Sequence, residues 1–190
     1  AYENFKKGFG TKELEDALKY EGDTMGHCVG GYCDDVASGK SRIYSLRDAK
    51  GQPHTTIETR PADWYDQIKN RPMEDSKLFN AQFKAKLAEA GLDPKGRGPE
   101  ATNLGNSVYE ELFGSAPEPI IVQIKGKGNK APNPEYLPYV QDFVKSGKWS
   151  DVGDLRNTGL MDIRAFPKRV EALGSPYVTE KELNGYLDQF

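Results

Sequence analysis

Two β-prone runs, RIYSLRD (42–48) and QPHTTIETR (52–60), stand on either side of Ala49-Lys50-Gly51. Aromatic and β-branched residues suit a pleated strand, and Asp48 to Gly51 supplies turn chemistry, so an antiparallel hairpin is predicted over 42–59. A third strand is read at 119–126 in PIIVQIKGKGN. There Ile120, Val122 and Ile124 alternate with Ile121, Gln123 and Lys125, and Ile121 among the polar partners implies cover on both faces.

Helical patterns fill the rest. Thr11 caps a first helix to about Tyr20, with Leu14, Ala17 and Leu18 on one face and Gly22 as its stop. Asp23 or Thr24 caps a second to about Ala37, with Met25, Cys28, Val29, Tyr32 and Val36 as its buried stripe. Residues 60–75 read as an irregular loop. Ser76 opens a helix to about Ala90, and another spans Pro99 to Phe113. Asn133 caps a helix with Pro134 at its first position. Short helical pieces follow Trp149, the last of them from Thr179 to Phe190. The order implies an α+β domain with a small, mainly antiparallel sheet packed against several helices. Residues 1–147 are expected to form that domain, with 148–190 a helical extension packed on it.

Composition narrows the function classes. The chain has 190 residues, long enough for a core without staples, and a net charge of −3 that argues against general coating of nucleic acid. No apolar run reaches membrane-spanning length, so no membrane association is expected. AYENFKKGFG lacks an apolar signal region and an initiator Met, which suits a part of a larger polypeptide. Both cysteines, Cys28 and Cys33, fall in one predicted helix. Five residues turn them about 140° apart, too divergent for a disulfide, so reduced thiols in a cytoplasmic setting are expected.

EGDTMGHCVGGYCDD, residues 21–35, holds both cysteines and one of the two histidines, His27. Gly26, Gly30 and Gly31 each cost a helix about 1 kcal/mol relative to Ala, a loss that close approach of another backbone or a ligand would explain. Cys28 on an apolar stripe reads as a core thiol. Beside an imidazole in the first turn of a helix, it reads as a nucleophile. The hairpin then brings His54 onto its second strand, as thiol enzymes with a helix-then-sheet layout do. A metal reading is weaker, because adjacent His27 and Cys28 diverge by about 100° on a helix and no paired CxxC knuckles exist. Neither metal nor cofactor is expected. In QIKGKGNK, 123–130, lysines and glycines at a strand exit suit a phosphate or carboxylate. Arg47 and Glu58 are expected to pair across the hairpin.

The run EGDTMGHCVGGY, then GKSRIYSLRD, the T-x-E of TTIET, and later VQIKGKGN resemble the PcfJ-like family of conjugative plasmids, phages and other mobile elements. The resemblance spans roughly 14–147. It implies a role in a plasmid- or phage-encoded protein of a bacterial host, and carries over His27, Cys28, Tyr32, Ser45, Arg47, Thr56, Glu58, Gln123, Lys125 and Asn129. His54 departs from the family pattern, which leaves His27 the better candidate base.

Three readings stay open. The first is a thiol-dependent hydrolase or acyl-transfer enzyme with Cys28 and a histidine (His27 or His54) at its centre, Gln123 or Asn129 orienting or supplying an oxyanion contact, and Tyr32, Ser45, Arg47, Thr56 and Glu58 around an unknown substrate. The second is a nucleic-acid-associated domain that holds phosphate through Lys125, Lys127 and Lys130, with Lys95 and Arg97 as further candidates. The third is a structural or interaction module. His27, Cys28, Arg47, Glu58 and Gln123 are expected to converge on one cleft.

Overall fold

The computed structural model describes residues 11–69, 71–114, 118–164 and 173–189. The chain divides into two compact units, residues 1–60 with 121–190, and residues 61–120.

The first unit opens with α1 (Thr11–Met25), a 3-10 turn (Cys28–Gly31) and the short α2 (Cys33–Ala37). The predicted hairpin follows as β1 (Arg42–Arg47) and β2 (Pro53–Arg60), antiparallel, with Ser45 opposite Thr56 and Ile43 opposite Glu58. The chain returns to this unit with β3 (Ile120–Lys125). A mainly antiparallel sheet of order β1-β2-β3-β4 results, its last strand being the two-residue β4 (Asp151–Val152). Helix α6 (Leu137–Ser146) is introduced by Asn133, whose side chain accepts from the Glu135 N–H.

Period-two alternation gives the hairpin two different faces. Ile57 and Leu46 join Ile121, Ile124, Val140, Val144 and Tyr177 in the main core, and Tyr44 meets Phe143 of α6 with ring centroids 5.0 Å apart. The opposite face carries Ile43, Ser45, Thr56 and Glu58, and there α1 is joined to the hairpin by polar groups. The unit closes with a second sheet, β5 (Leu160–Asp162) against β6 (Tyr177–Thr179), and with α7 (Glu180–Leu187). Thr179 and Glu182 form a capping box at the start of α7.

The second unit is helical: α3 (Trp64–Ile68), α4 (Met73–Glu89) and α5 (Pro99–Phe113) around Phe79, Phe83, Leu87, Val108 and Tyr109. Gly105 of α5 lets the Trp64 ring in, for a Cβ there would lie 2.1 Å from the indole. Among the described residues, no helix is long and apolar enough to cross a membrane.

Four expectations change. Helix α1 runs through Gly22 to Met25, because Gly22 has ordinary helical backbone and the left-handed residue that ends the helix is Gly26, φ +69°. The predicted helix over 23–37 is therefore broken at an extended His27, φ −144°, ψ 170°. The loop read at 60–75 contains α3, capped by Asp63, and the start of α4, where Ser76 bonds back to the Ile68 carbonyl instead of capping. The segment after Trp149 contributes strands β4 to β6 as well as helix.

Candidate active site

Glu21 organises the polar face of the hairpin. Leu14, Leu18, Glu21 and Met25 fall at i, i+4, i+7 and i+11 on α1, so a carboxylate occupies a core position of an otherwise apolar stripe. It is 2% exposed. A buried carboxylate is tolerated when its oxygens are all engaged. Oε1 accepts from the Thr56 hydroxyl at 2.6 Å. Oε2 accepts from Ser45 Oγ at 2.6 Å and from the Arg47 guanidinium at 3.0 Å. Arg47 Nε also donates to Ser45 Oγ at 2.9 Å, which ties the three groups together.

His27 enters this network from the turn. The αL cap at Gly26 and the extended His27 throw the chain off the end of α1, and the imidazole Nε2 lies 3.0 Å from Thr56 Oγ1. A threonine hydroxyl has one proton. Thr56 gives it to Glu21, so its oxygen accepts from His27, and Nε2 carries the ring proton. In the neutral ring, Nδ1 is then the acceptor. Burial lowers the imidazole's pKa below its ordinary 6.5, and the Glu21 charge opposes this less strongly. The neutral form is thereby favoured at pH 7.

Cys28 follows at once. It opens the 3-10 turn and is exposed, so it is neither the buried stripe residue nor the first-turn residue of a long helix that the helical pattern implied. Its Sγ lies 3.9 Å from the Tyr32 hydroxyl. Behind Tyr32, Glu58 accepts from Ser41 Oγ at 2.9 Å and from Gln123 Nε2 at 2.7 Å.

His27, Cys28, Thr56, Glu58, Gln123, Lys125 and Asn129 line one narrow pocket, with Val29 and Ile43 as its apolar wall. His27 and Cys28 also border a wide open cleft of about 620 Å³ whose floor includes Gly22, Gly30 and Gly31. The two residues therefore stand between a narrow polar recess and an accessible surface.

The remaining candidates lie elsewhere. Ser45 and Arg47 bond Glu21 and do not line the pocket. Arg47 does not pair with Glu58, since the register sets Arg47 opposite Pro53 and Glu58 opposite Ile43. His54 is at the far end of β2, 3.3 Å from Asp48 Oδ2 and stacked on Tyr136 at 4.1 Å. It does not line the pocket. Lys125 gives its ammonium to Asp154 at 2.8 Å, while Lys127 and Lys130 are exposed. Among the described residues, no group of three or more His, Cys, Asp or Glu side chains is placed to hold a metal ion. Glu21 was not among the residues singled out from the sequence. Its signal was a carboxylate in the i+7 place of an apolar stripe, hidden once the helix was ended at Gly22.

No curated protein and no solved structure matches the chain. Gln123, Lys125 and Asn129 stand in the pocket on geometry alone, beyond the segment for which a family likeness is found. That segment is residues 11–76, carrying α1, the Cys28 turn and the hairpin, and it matches the family model for PcfJ-like protein.

Proposed function

We propose that the site performs thiol-dependent acyl transfer or amide hydrolysis, with Cys28 as nucleophile and His27 as its base. One observation carries the reading. Thr56 spends its single proton on Glu21, so His27 Nε2 is the donor and Nδ1 is the free base, next in sequence to an accessible thiol. Glu21 and Thr56 then do for His27 what an orienting acid does in other nucleophile–base pairs.

In this reading Cys28 Sγ–H gives its proton to Nδ1, and the sulfur bonds to a substrate carbonyl carbon. The bond from that carbon to its amine or alcohol breaks, and His27 returns the proton to the leaving group. A water or a second amine, deprotonated by the same nitrogen, opens the thioester and restores the thiol. The setting that suits this reading is a phage- or plasmid-encoded protein in a bacterial cytoplasm, where thiols stay reduced, and the likeness of residues 11–76 to the PcfJ-like family model supports it. The phosphate-binding reading of 123–130 loses weight, because Asp154 already neutralises Lys125.

Iodoacetamide labelling followed by mass spectrometry tests the proposal, with Cys33 as internal comparator. Burial and the charges of Glu15 and Asp34 push the Cys33 thiol up, so it should react slowly. The expected result is faster labelling of Cys28 than of Cys33 near pH 7, and a drop of at least about tenfold in Cys28 labelling in His27→Ala. Equal rates at the two cysteines, or no change in His27→Ala, would remove the enzyme reading.

A further inference from the structure

Resting on that reading of Cys28, we propose that Tyr32 is the hydrogen-bond donor that holds the Cys28 sulfur in its reacting position, aimed there by Gln123 and Glu58. The direction of each bond follows from proton counting. Glu58 is a carboxylate that accepts from Ser41 on one oxygen and from Gln123 on the other. That fixes the orientation of the Gln123 amide, since only its NH₂ can face a carboxylate. Gln123 is also a hydrogen-bond partner of Tyr32, and the second N–H of its anchored NH₂ can donate to the phenol oxygen. With its oxygen receiving an N–H, Tyr32 is free to direct its own proton to Cys28 Sγ, 3.9 Å away and four residues earlier.

The groups facing Tyr32 are Cys28 from the 3-10 turn, Glu58 from β2 and Gln123 from β3. Burial first, then the sulfur and the Glu58 charge, push the phenol up and outweigh Gln123. Tyr32 therefore keeps its proton through neutral pH and stays a donor. His27, next to Cys28 in sequence, is the acceptor in the parent reading. Tyr32 and His27 are thus tied to separate carboxylates: Tyr32 through Gln123 to Glu58, and His27 through Thr56 to Glu21.

This arrangement has a consequence that packing alone does not. A donor to sulfur favours the thiolate, so Tyr32→Phe should move the rate–pH profile of Cys28 alkylation to higher pH and leave the melting temperature nearly unchanged. Gln123→Leu should move the profile in the same direction by a smaller amount. In Tyr32→Phe/Gln123→Leu the second change should add nothing, because Gln123 acts through the phenol. The proposal is overturned if Tyr32→Phe leaves the profile in place, or if Gln123→Leu shifts it equally with and without Tyr32. His27→Ala separates this from the parent reading. A Cys28 that responds to His27→Ala but not to Tyr32→Phe overturns the role of Tyr32 and leaves the nucleophile standing; a Cys28 that responds to neither removes both.

Discussion

Thr56 lies 2.6 Å from Glu21 across 35 residues of sequence, and this bond joins helix α1 to the hairpin where an apolar contact would otherwise do so. Thr56 is 5% exposed and Glu21 is 2% exposed. The joint is thus a buried polar one, and its stability depends on every member being satisfied.

Removing the carboxylate should therefore unsettle more than one partner. Glu21→Ala strips the acceptor from Thr56 and Ser45 at once, and leaves Arg47 to find water. Arg47 is partly exposed, so its loss is softened. Hydrogen bonds to charged groups are worth about 1.5–3 kcal/mol, and an orphaned buried hydroxyl adds to the loss. A destabilisation of about 3 kcal/mol is expected in urea unfolding. A change under about 0.5 kcal/mol, the range of an ordinary surface substitution, would mean the network is not what joins α1 to the sheet.

His27 makes stability pH-dependent, and its sign is opposite to that of a histidine in an ion pair. Its folded pKa is lowered from 6.5, chiefly by burial. On acidification the unfolded chain takes up the proton first, so this contribution is whole above 6.5 and is lost as pH falls from there through the lowered folded value. Urea midpoints measured from about pH 7.5 down to 5 should fall more in the wild type than in His27→Gln. Parallel curves would show that His27 is not desolvated.

The hairpin, the third strand and the helix over 99–113 were legible because each rests on local chemistry: turn residues, alternation, and a Pro at the first turn with Gly after the last. The break at Gly26 was not. A run of Met25, Cys28, Val29, Tyr32 and Val36 keeps helical spacing across it, and periodicity does not register one residue at positive φ. The same error put Cys28 in a core stripe and took Glu21 off one. His54 was attractive because it opens a strand after the thiol, yet its ring is engaged by Asp48 and Tyr136. Pairing of Arg47 with Glu58 required a register four residues away from the one that forms, which sets Glu58 opposite Ile43. Convergence of His27, Cys28, Glu58 and Gln123 on one pocket depended on β3 lying beside β2, and strand order is a tertiary fact no local pattern carries.

Thr55 offers a stabilising change. It points to the apolar face of β2, is fully buried, and its Oγ1 has no hydrogen-bond partner. An unsatisfied buried hydroxyl costs about 1–3 kcal/mol. Thr55→Val keeps the branched shape and removes the hydroxyl, so the melting temperature should rise. A fall would indicate that water or a shifted side chain satisfies this hydroxyl in solution.

Two glycines near Cys28 should respond unequally to alanine. On an isolated helix each change would help by about 1 kcal/mol. At Gly22, within α1, a Cβ would stand 3.0 Å from both the Gly30 N and the His27 O, backbone atoms of the very turn that presents Cys28. Neither can retreat as a flexible side chain would, and a forced contact of this kind costs about 1–3 kcal/mol. Gly22→Ala should therefore destabilise the fold and alter Cys28 labelling along with it. At Gly30 the nearest atom to a Cβ is the Lys19 Cα at 3.4 Å, an ordinary contact, and the backbone there is not left-handed. Gly30→Ala should leave stability within about 0.5 kcal/mol of the wild type. The earlier expectation that close approach explains the glycines at 26–31 thus moves to Gly22, which meets Gly30, while a Cβ at Gly31 would meet open space. Thermal melts of the two variants check it: a loss in Gly30→Ala with none in Gly22→Ala would reverse the assignment of the tight contact.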